Sequence, residues 1–242
     1  MNGPVPVEEA AKVKQRRMLD LFSGRWGWSK AFAARGWHCI GVDLQEPPEI
    51  PANCTFIKLD VLKIRYLSQP IRHFNVLGCD PNPFWEWCNF DFICASSPCE
   101  QFSVHGMKHF HPNPPYPELG IKLFNHTRSL CEASRVPWVM ENVRPAQQFV
   151  GKAVHHCGPF YLWGTGVPLL QVQGVKKMMR GNGTAYKEFA HLPLEERRRA
   201  RNEHQRKYPL NKKESASEIA QIPPELANCV ADYAERLLEC AA

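Results

Sequence analysis

Short apolar runs that stop at an acid, a glycine or a proline alternate with helix-forming segments through the first 145 residues, and this alternation constrains the fold more than any other feature. RMLDLFSG reads as a strand and a glycine turn, and WSKAFAARG, stopped by Gly36, as the helix that follows. WHCIGVDL is a second strand closing on Asp43, and TFIKLDVL a third closing at Asp60. DFICASSP is a fourth, stopped by Pro98, and LGIKLFNHTRSLCEAS is a helix leading into a fifth, PWVMENV. Strands interleaved with helices imply an α/β fold, a parallel sheet covered on both faces. Ligands of such sheets bind at the carboxyl ends of the strands. Asp20, Asp43, Asp60, Cys99 and Glu141 all fall there in this reading.

A chain of 242 residues suits one domain with a small appended lobe. The expected division is an N-terminal extension over 1–16, a core over 17–170, a small basic lobe over 171–215 and a C-terminal helix over 216–242 that packs back on the core. The last helix, IPPELANCVADYAERLLE, is amphipathic, with prolines at its start, where their missing donors cost little. The stretch 104–117, rich in His, Pro and Asn, reads as a loop added to the sheet.

Apolar residues at 44% and charged residues at 22% describe an ordinary soluble domain. The segment MNGPVPVEEAAKVKQRR has no apolar core, and no segment offers about 20 apolar residues in a row. A soluble, intracellular protein with no membrane partner is expected. The ten cysteines lie mostly in apolar runs such as HCIGVD, FICASS and RSLCEAS, which suits reduced, partly buried thiols. No C-x-x-C occurs, and Cys79, Cys88, Cys94 and Cys99 lack the spacing of a structural zinc site. His105, His109 and His111 have no carboxylate or cysteine at ligand spacing, so no metal is expected. The net charge of +6 is uneven, since residues 171 to 213 hold twelve Lys or Arg against four Glu. Such a segment reads either as a phosphate-backbone footprint or as a solvated helix around EERRRARNEHQRK.

The chemistry-bearing residues form two groups. Asp43, closing the second strand, is placed to accept hydrogen bonds from ribose hydroxyls, and Asp60, closing the third, stands within reach of an adenine ring. Each alone also reads as a turn residue, but with the glycine turn they outline an adenosine-shaped site. Cys99 leaves a buried strand on a Pro-fixed turn before Glu100, Gln101 and Phe102, whereas most free cysteines are simply buried. Glu141 closes the run PWVM, and a carboxylate is costly to bury without a partner or a task. A nucleophile and an acid on adjacent strand ends form a reactive pair.

DLFSGRWGWSKAF, SPCEQFS and MENV, in this order, resemble three motifs of the cytosine-5 DNA methyltransferase family over about residues 17 to 145. HCGPFYLWG and IAQIPPELA are similar to segments of small phage-type members with a reduced target-recognition domain. The resemblance implies a Rossmann-like S-adenosylmethionine-dependent methyltransferase sheet. The cofactor would be held by Asp20, Phe22, Gly24, Gly27, Trp28, Asp43, Asp60, Val61 and Pro98. It implies methyl transfer to C5 of a flipped-out cytosine, with Cys99 as covalent nucleophile, Glu141 bound to the N3 edge and Asn142 buttressing the loop. Gln101 and Ser103 would face the nucleic acid, and Arg197, Arg198, Arg199 and Arg201 of the basic segment would bind phosphate. DNA is the favoured substrate, acted on by a cytoplasmic monomer in a bacterial or phage-infected cell.

Departures accompany the matches. Trp26 and Gly27, beside Arg25, stand where the family has two adjacent glycines, and Glu100 stands for the Gln after the catalytic Cys. The late Gln-x-Arg-x-Arg motif has no clear counterpart, and Ile219 and Ala220 replace the Gly-Asn before the last helix. Two alternatives stay open: the same chemistry on RNA or a free cytosine nucleotide, and a nonenzymatic module that binds nucleic acid or a partner protein. Intact Cys99 and Glu141 speak against the second. Only about 55 residues separate HCGPFYLWG from the last helix, so sequence recognition is expected to be short or borrowed from a protein partner.

Overall fold

The alternating runs fold into a sheet whose two faces are covered by different helices. The computed structural model describes residues 15–66, 74–76, 90–108, 111–169, 191–193, 195–196, 199–200, 203 and 221–240. Its elements are β1 (Arg17–Leu21), α1 (Ser29–Ala33), β2 (His38–Asp43), β3 (Cys54–Lys58), β4 (Ile64–Tyr66), β5 (Phe74–Val76), β6 (Phe92–Ser96), α2 (Glu100–Gly106), α3 (Glu118–Ser134), β7 (Trp138–Val143), α4 (Gln147–Val150), β8 (His155–Cys157), β9 (Phe160–Trp163) and α5 (Pro224–Glu239). The seven-stranded sheet runs β3-β2-β1-β6-β7-β9-β8, and β4 and β5 form a separate antiparallel ribbon. Among the described residues no helix is long and apolar enough to cross a membrane.

Side chains alternate across each strand, so the central strands β1, β2, β6 and β7 feed two cores. Leu19, Leu21, Ile40, Val42, Ile93, Ala95 and Met140 pack with Phe102 of α2, Phe124 and Leu130 of α3 and Val150 of α4. Met18, Cys39, Phe92, Cys94 and Val139 pack with Phe32 of α1 and Leu226, Val230 and Ala234 of α5. Helices on both faces of a largely parallel sheet make the fold Rossmann-like. Arg35, just past α1, clamps α5 through Asn228 at 2.8 Å and Asp232 at 3.0 Å.

Four expectations need correcting. The sheet is not wholly parallel, because β9 runs antiparallel to β7 and β8 antiparallel to β9. Gly158 and Pro159 are too short a link for anything but a hairpin, since parallel strands need a long crossover. The third strand ends at Lys58, and Asp60 instead caps a 3-10 turn (Val61–Lys63) by accepting from the Leu62 amide at 3.0 Å. Glu141 lies inside β7, which continues to Val143. Glu100, Gln101 and Phe102 open a helix rather than a turn, which leaves the polar loop to begin after Gly106.

Strand order reverses between β1 and β6, since β1 leads to β2 on one side while β6 leads to β7 on the other. In open α/β sheets the crevice over the carboxyl ends at this point is where ligands bind. The turn after β1 and the turn carrying Cys99 after β6 border it.

One close approach holds the first of these turns. A Cβ on Gly41 of β2 would stand 2.3 Å from the Trp26 indole, which is fully buried. Gly41→Ala should therefore expel the indole and cost about 1 to 3 kcal/mol, as overpacking does. The expected reading is a lower urea midpoint with an unchanged slope.

Candidate active site

After β1 the chain turns through three residues with left-handed backbone, Phe22 and Trp26 at φ 63° and Gly24 at φ 47°. The turn is pinned to β2: the Phe22 and Ser23 amides donate to the Val42 carbonyl at 2.8 and 3.1 Å. Asp43 completes the pinning, its Oδ2 accepting from the Gly24 amide and its Oδ1 from the Gln45 amide, both at 3.0 Å. A carboxylate has about four acceptor positions, so Asp43 retains capacity for a ligand while it shapes the turn.

The departures at Trp26 and Gly27 acquire a structural meaning. The Trp26 indole leaves the turn for the interior, lies over Gly41, donates to the Glu49 carbonyl at 3.0 Å and meets Phe56 edge-on at 6.3 Å. Gly41 is the residue that the sequence reading missed, and its signal was a glycine inside a strand, which marks a close approach. A Cβ on Gly27 would lie 3.0 Å from Ile222, so this glycine admits the segment leading into α5.

Asp20 sits within β1, fully buried on the face that α1 covers. Its Oδ2 accepts from the Ser29 hydroxyl at 2.6 Å, while Oδ1 has no hydrogen-bond partner among the described residues. Burial raises its carboxyl to about 7, partly opposed by the Ser29 hydrogen bonds. The Ser23 hydroxyl is likewise buried without a hydrogen-bond partner.

On the other side of the crevice β6 runs into buried Ser97, exposed Pro98 and half-buried Cys99. The Cys99 carbonyl accepts from the Ser103 and Phe102 amides at 2.8 and 3.1 Å, which starts α2. Asn142, wholly buried in β7, donates from Nδ2 to the Ser97 carbonyl at 3.0 Å and to the Ser97 hydroxyl at 3.1 Å. Its Oδ1 accepts from the Val143 amide at 2.8 Å. Buried Glu141 lies in register with Ser96, and the Trp28 indole donates to the Ser96 hydroxyl at 3.0 Å. Trp28 thus joins the turn after β1 to the strand that leads into Cys99, and Asn142, next to Glu141 on β7, joins that strand to the turn carrying Cys99.

The remaining candidates divide. Asp60 stands beyond the end of β3, next to Val61, whose side chain is buried in the core and whose carbonyl is bound by His126 at 3.0 Å. Gln101 accepts from the Gly120 amide at 2.7 Å, which ties α2 to the first turn of α3, and Ser103 is half-buried on the same helix. His105 bonds the Pro115 carbonyl at 3.0 Å and meets Phe149 edge-on at 4.7 Å. Among the described residues no group of three or more His, Cys, Asp or Glu could hold a metal ion. Arg199 is exposed, whereas Arg197, Arg198, Arg201, Ile219, Ala220, His109 and nearly all of 171–215 lie outside the described residues.

No family model and no curated protein matches this chain. Among solved structures it is similar to the Burkholderia thailandensis 1,6-didemethyltoxoflavin-N1-methyltransferase bound to 1,6-didemethyltoxoflavin and S-adenosylhomocysteine, at 16% identity and a TM-score of 0.29 over 62% of this chain and 55% of that one. It is also similar to the Entamoeba histolytica methyltransferase EhMeth, at 14% identity and a TM-score of 0.34 over 70% of this chain and 58% of that one. The chain spans little more than half the length of either, and likeness at this level carries no argument about substrate or cofactor.

The Asp20 carboxyl supplies a test of the buried wall of the site. Its folded-state value of about 7 lies above the ordinary 3.8, so the native state holds an extra proton between those limits. Its stabilising contribution is then full below about pH 4 and declines as pH rises towards 7, by up to about 1.4 kcal/mol per pH unit. Asp20→Asn removes this slope. Urea melts of both proteins across that window should give a stability difference, wild type minus variant, that falls as pH rises.

Proposed function

We propose that this chain transfers a methyl group from S-adenosylmethionine to C5 of a cytosine turned out of a DNA duplex. The observation that carries the reading is the pair of hydrogen bonds from Asn142 to Ser97, because they hold the turn bearing Cys99 against the strand bearing Glu141. The residues present fit the cofactor: a left-handed turn pinned by Asp43, acids at the end of β2 (Asp43) and beyond β3 (Asp60), and buried acceptors at Asp20 Oδ1 and Ser23 Oγ without hydrogen-bond partners among the described residues. When bound, S-adenosylmethionine supplies an electrophilic methyl group.

Cytosine C5 is a poor nucleophile until the ring is activated. Addition of the Cys99 sulfur to C6 moves an electron pair towards C5 and the N3 edge. Glu141 binds N3 and the exocyclic amine, which offsets the charge that develops there. Once C5 carries the methyl group, loss of its proton returns a pair to the ring and the Cys99 sulfur leaves C6. Asn142 touches no substrate in this scheme and acts as a positioning residue. Turning the base out costs about a few kcal/mol, which phosphate contacts from the basic segment 171–213, with Arg197, Arg198, Arg199 and Arg201, would help to offset.

A duplex with 5-fluorocytosine at target positions should trap the protein covalently in the presence of cofactor, because fluorine does not leave as a proton does. Cys99→Ala should lose both the trapped band and methylation of ordinary DNA while still binding cofactor. Turnover by that variant would overturn the reading. Glu141→Gln keeps the shape but loses the carboxyl, so turnover should fall by roughly a hundredfold or more with little change in DNA affinity. An unaltered rate would remove Glu141 from the mechanism.

A further inference from the structure

We infer that Cys39 and Cys54 are a peroxide-responsive thiol pair, closing into a reversible disulfide between β2 and β3 beneath α1. The two residues are direct partners in the parallel register of these strands. Partners in register point to the same face, and both side chains lie in the cluster that packs under α1 and α5. Neighbouring strands lie about 4.7 to 4.9 Å apart, inside the span of about 4.4 to 6.8 Å that a disulfide bridges between Cα atoms. The Cys39 amide donates to the Asn53 carbonyl at 2.9 Å, so the backbone is also held together beside the pair. Both cysteines are free thiols in the structure.

The two thiols are unequal, which sets the order of events. Cys54 is half-buried on the edge strand β3, whereas Cys39 is fully buried. Their mutual hydrogen-bonding interaction pulls the Cys54 thiol down and pushes Cys39 well up, with burial adding to the rise at Cys39. Lys30 further favours the Cys54 thiolate, against the opposing effects of burial and Asp20. The thiolate is the nucleophile, so Cys54 reacts first.

The oxidant is hydrogen peroxide, small enough to reach a half-buried sulfur. The Cys54 thiolate attacks one peroxide oxygen, the O–O bond breaks, and hydroxide leaves and takes up a proton as water. Cys54 is now a sulfenic acid and no longer an anion facing Cys39, so the largest influence holding the Cys39 proton is gone. The Cys39 sulfur attacks the Cys54 sulfur, the S–O bond breaks, and the hydroxyl group leaves with the Cys39 proton as a second water. A thiol reductant reverses the bond by exchange.

The test uses the full chain exposed to dilute hydrogen peroxide, then alkylated under denaturing conditions and mapped by peptide mass spectrometry. The expected result is loss of two thiols per chain, a linked peptide pair joining Cys39 to Cys54, and its disappearance on treatment with dithiothreitol. In Cys54→Ser no such pair forms and Cys39 stays open to alkylation. Recovery of both cysteines as free thiols, of Cys54 oxidised beyond sulfenic acid with Cys39 intact, or of either joined instead to another cysteine overturns the inference. The wild-type map decides the matter even if the variant folds poorly, and no outcome depends on methyl transfer.

Discussion

The side-chain amide of Asn142 is the interaction on which the Cys99 side of the crevice depends. A buried amide must satisfy its donors, or the loss costs about 1 to 3 kcal/mol, and here it does so on the Ser97 carbonyl and hydroxyl. Pro98 follows with its fixed φ, and the Cys99 carbonyl then begins α2 by receiving the Ser103 amide. The position of the thiol is thereby set by backbone and amide together. Glu141, the preceding residue on the same strand, inherits the same frame.

The opposite wall obeys a different constraint. A turn with three left-handed residues, two of them not glycine, is unfavourable alone. It persists because tertiary contacts absorb the strain: Asp43 and Val42 receive its amides, and the Trp26 indole is seated over Gly41. Gly27 then leaves room for Ile222, so the approach to α5 closes over the outside of the turn. Trp28 completes the arrangement by reaching across to Ser96, which makes the turn and the strand before Cys99 one mechanical unit.

Beneath α1 the sheet brings together Asp20, Cys39, Cys54 and Cys94, whose titrations influence one another. Desolvation raises Asp20 and drives Cys94 far upward, so the interior favours neutral forms there. Cys54 alone among these is drawn below its ordinary range, chiefly by its hydrogen-bonding interaction with Cys39 and further by Lys30, against burial and Asp20. One apolar face thus holds both a carboxyl raised by burial and a thiol lowered by its neighbour.

Hydrophobic periodicity and turn residues alone determined five core strands, the helices between them and the last amphipathic helix, since these depend on side-chain patterning over a few neighbours. Cys99, Asp43 and Glu141 stood out as candidates for the same reason, as polar residues where apolar runs give out. Tertiary structure decided what patterning does not encode. The HCGPFYLWG segment became an antiparallel hairpin beside β7, a seat that depends on which edge was left to pair. Asp60 became a cap because the strand stopped two residues early. Asn142 found Ser97, Asp43 found Gly24 and Trp26 found Gly41 across separations of 45, 19 and 15 residues. Contacts of that range arise only when the sheet brings strand ends together, because the chain's local preferences extend over a turn or two and its hydrogen-bonding groups pair with whatever folding places beside them.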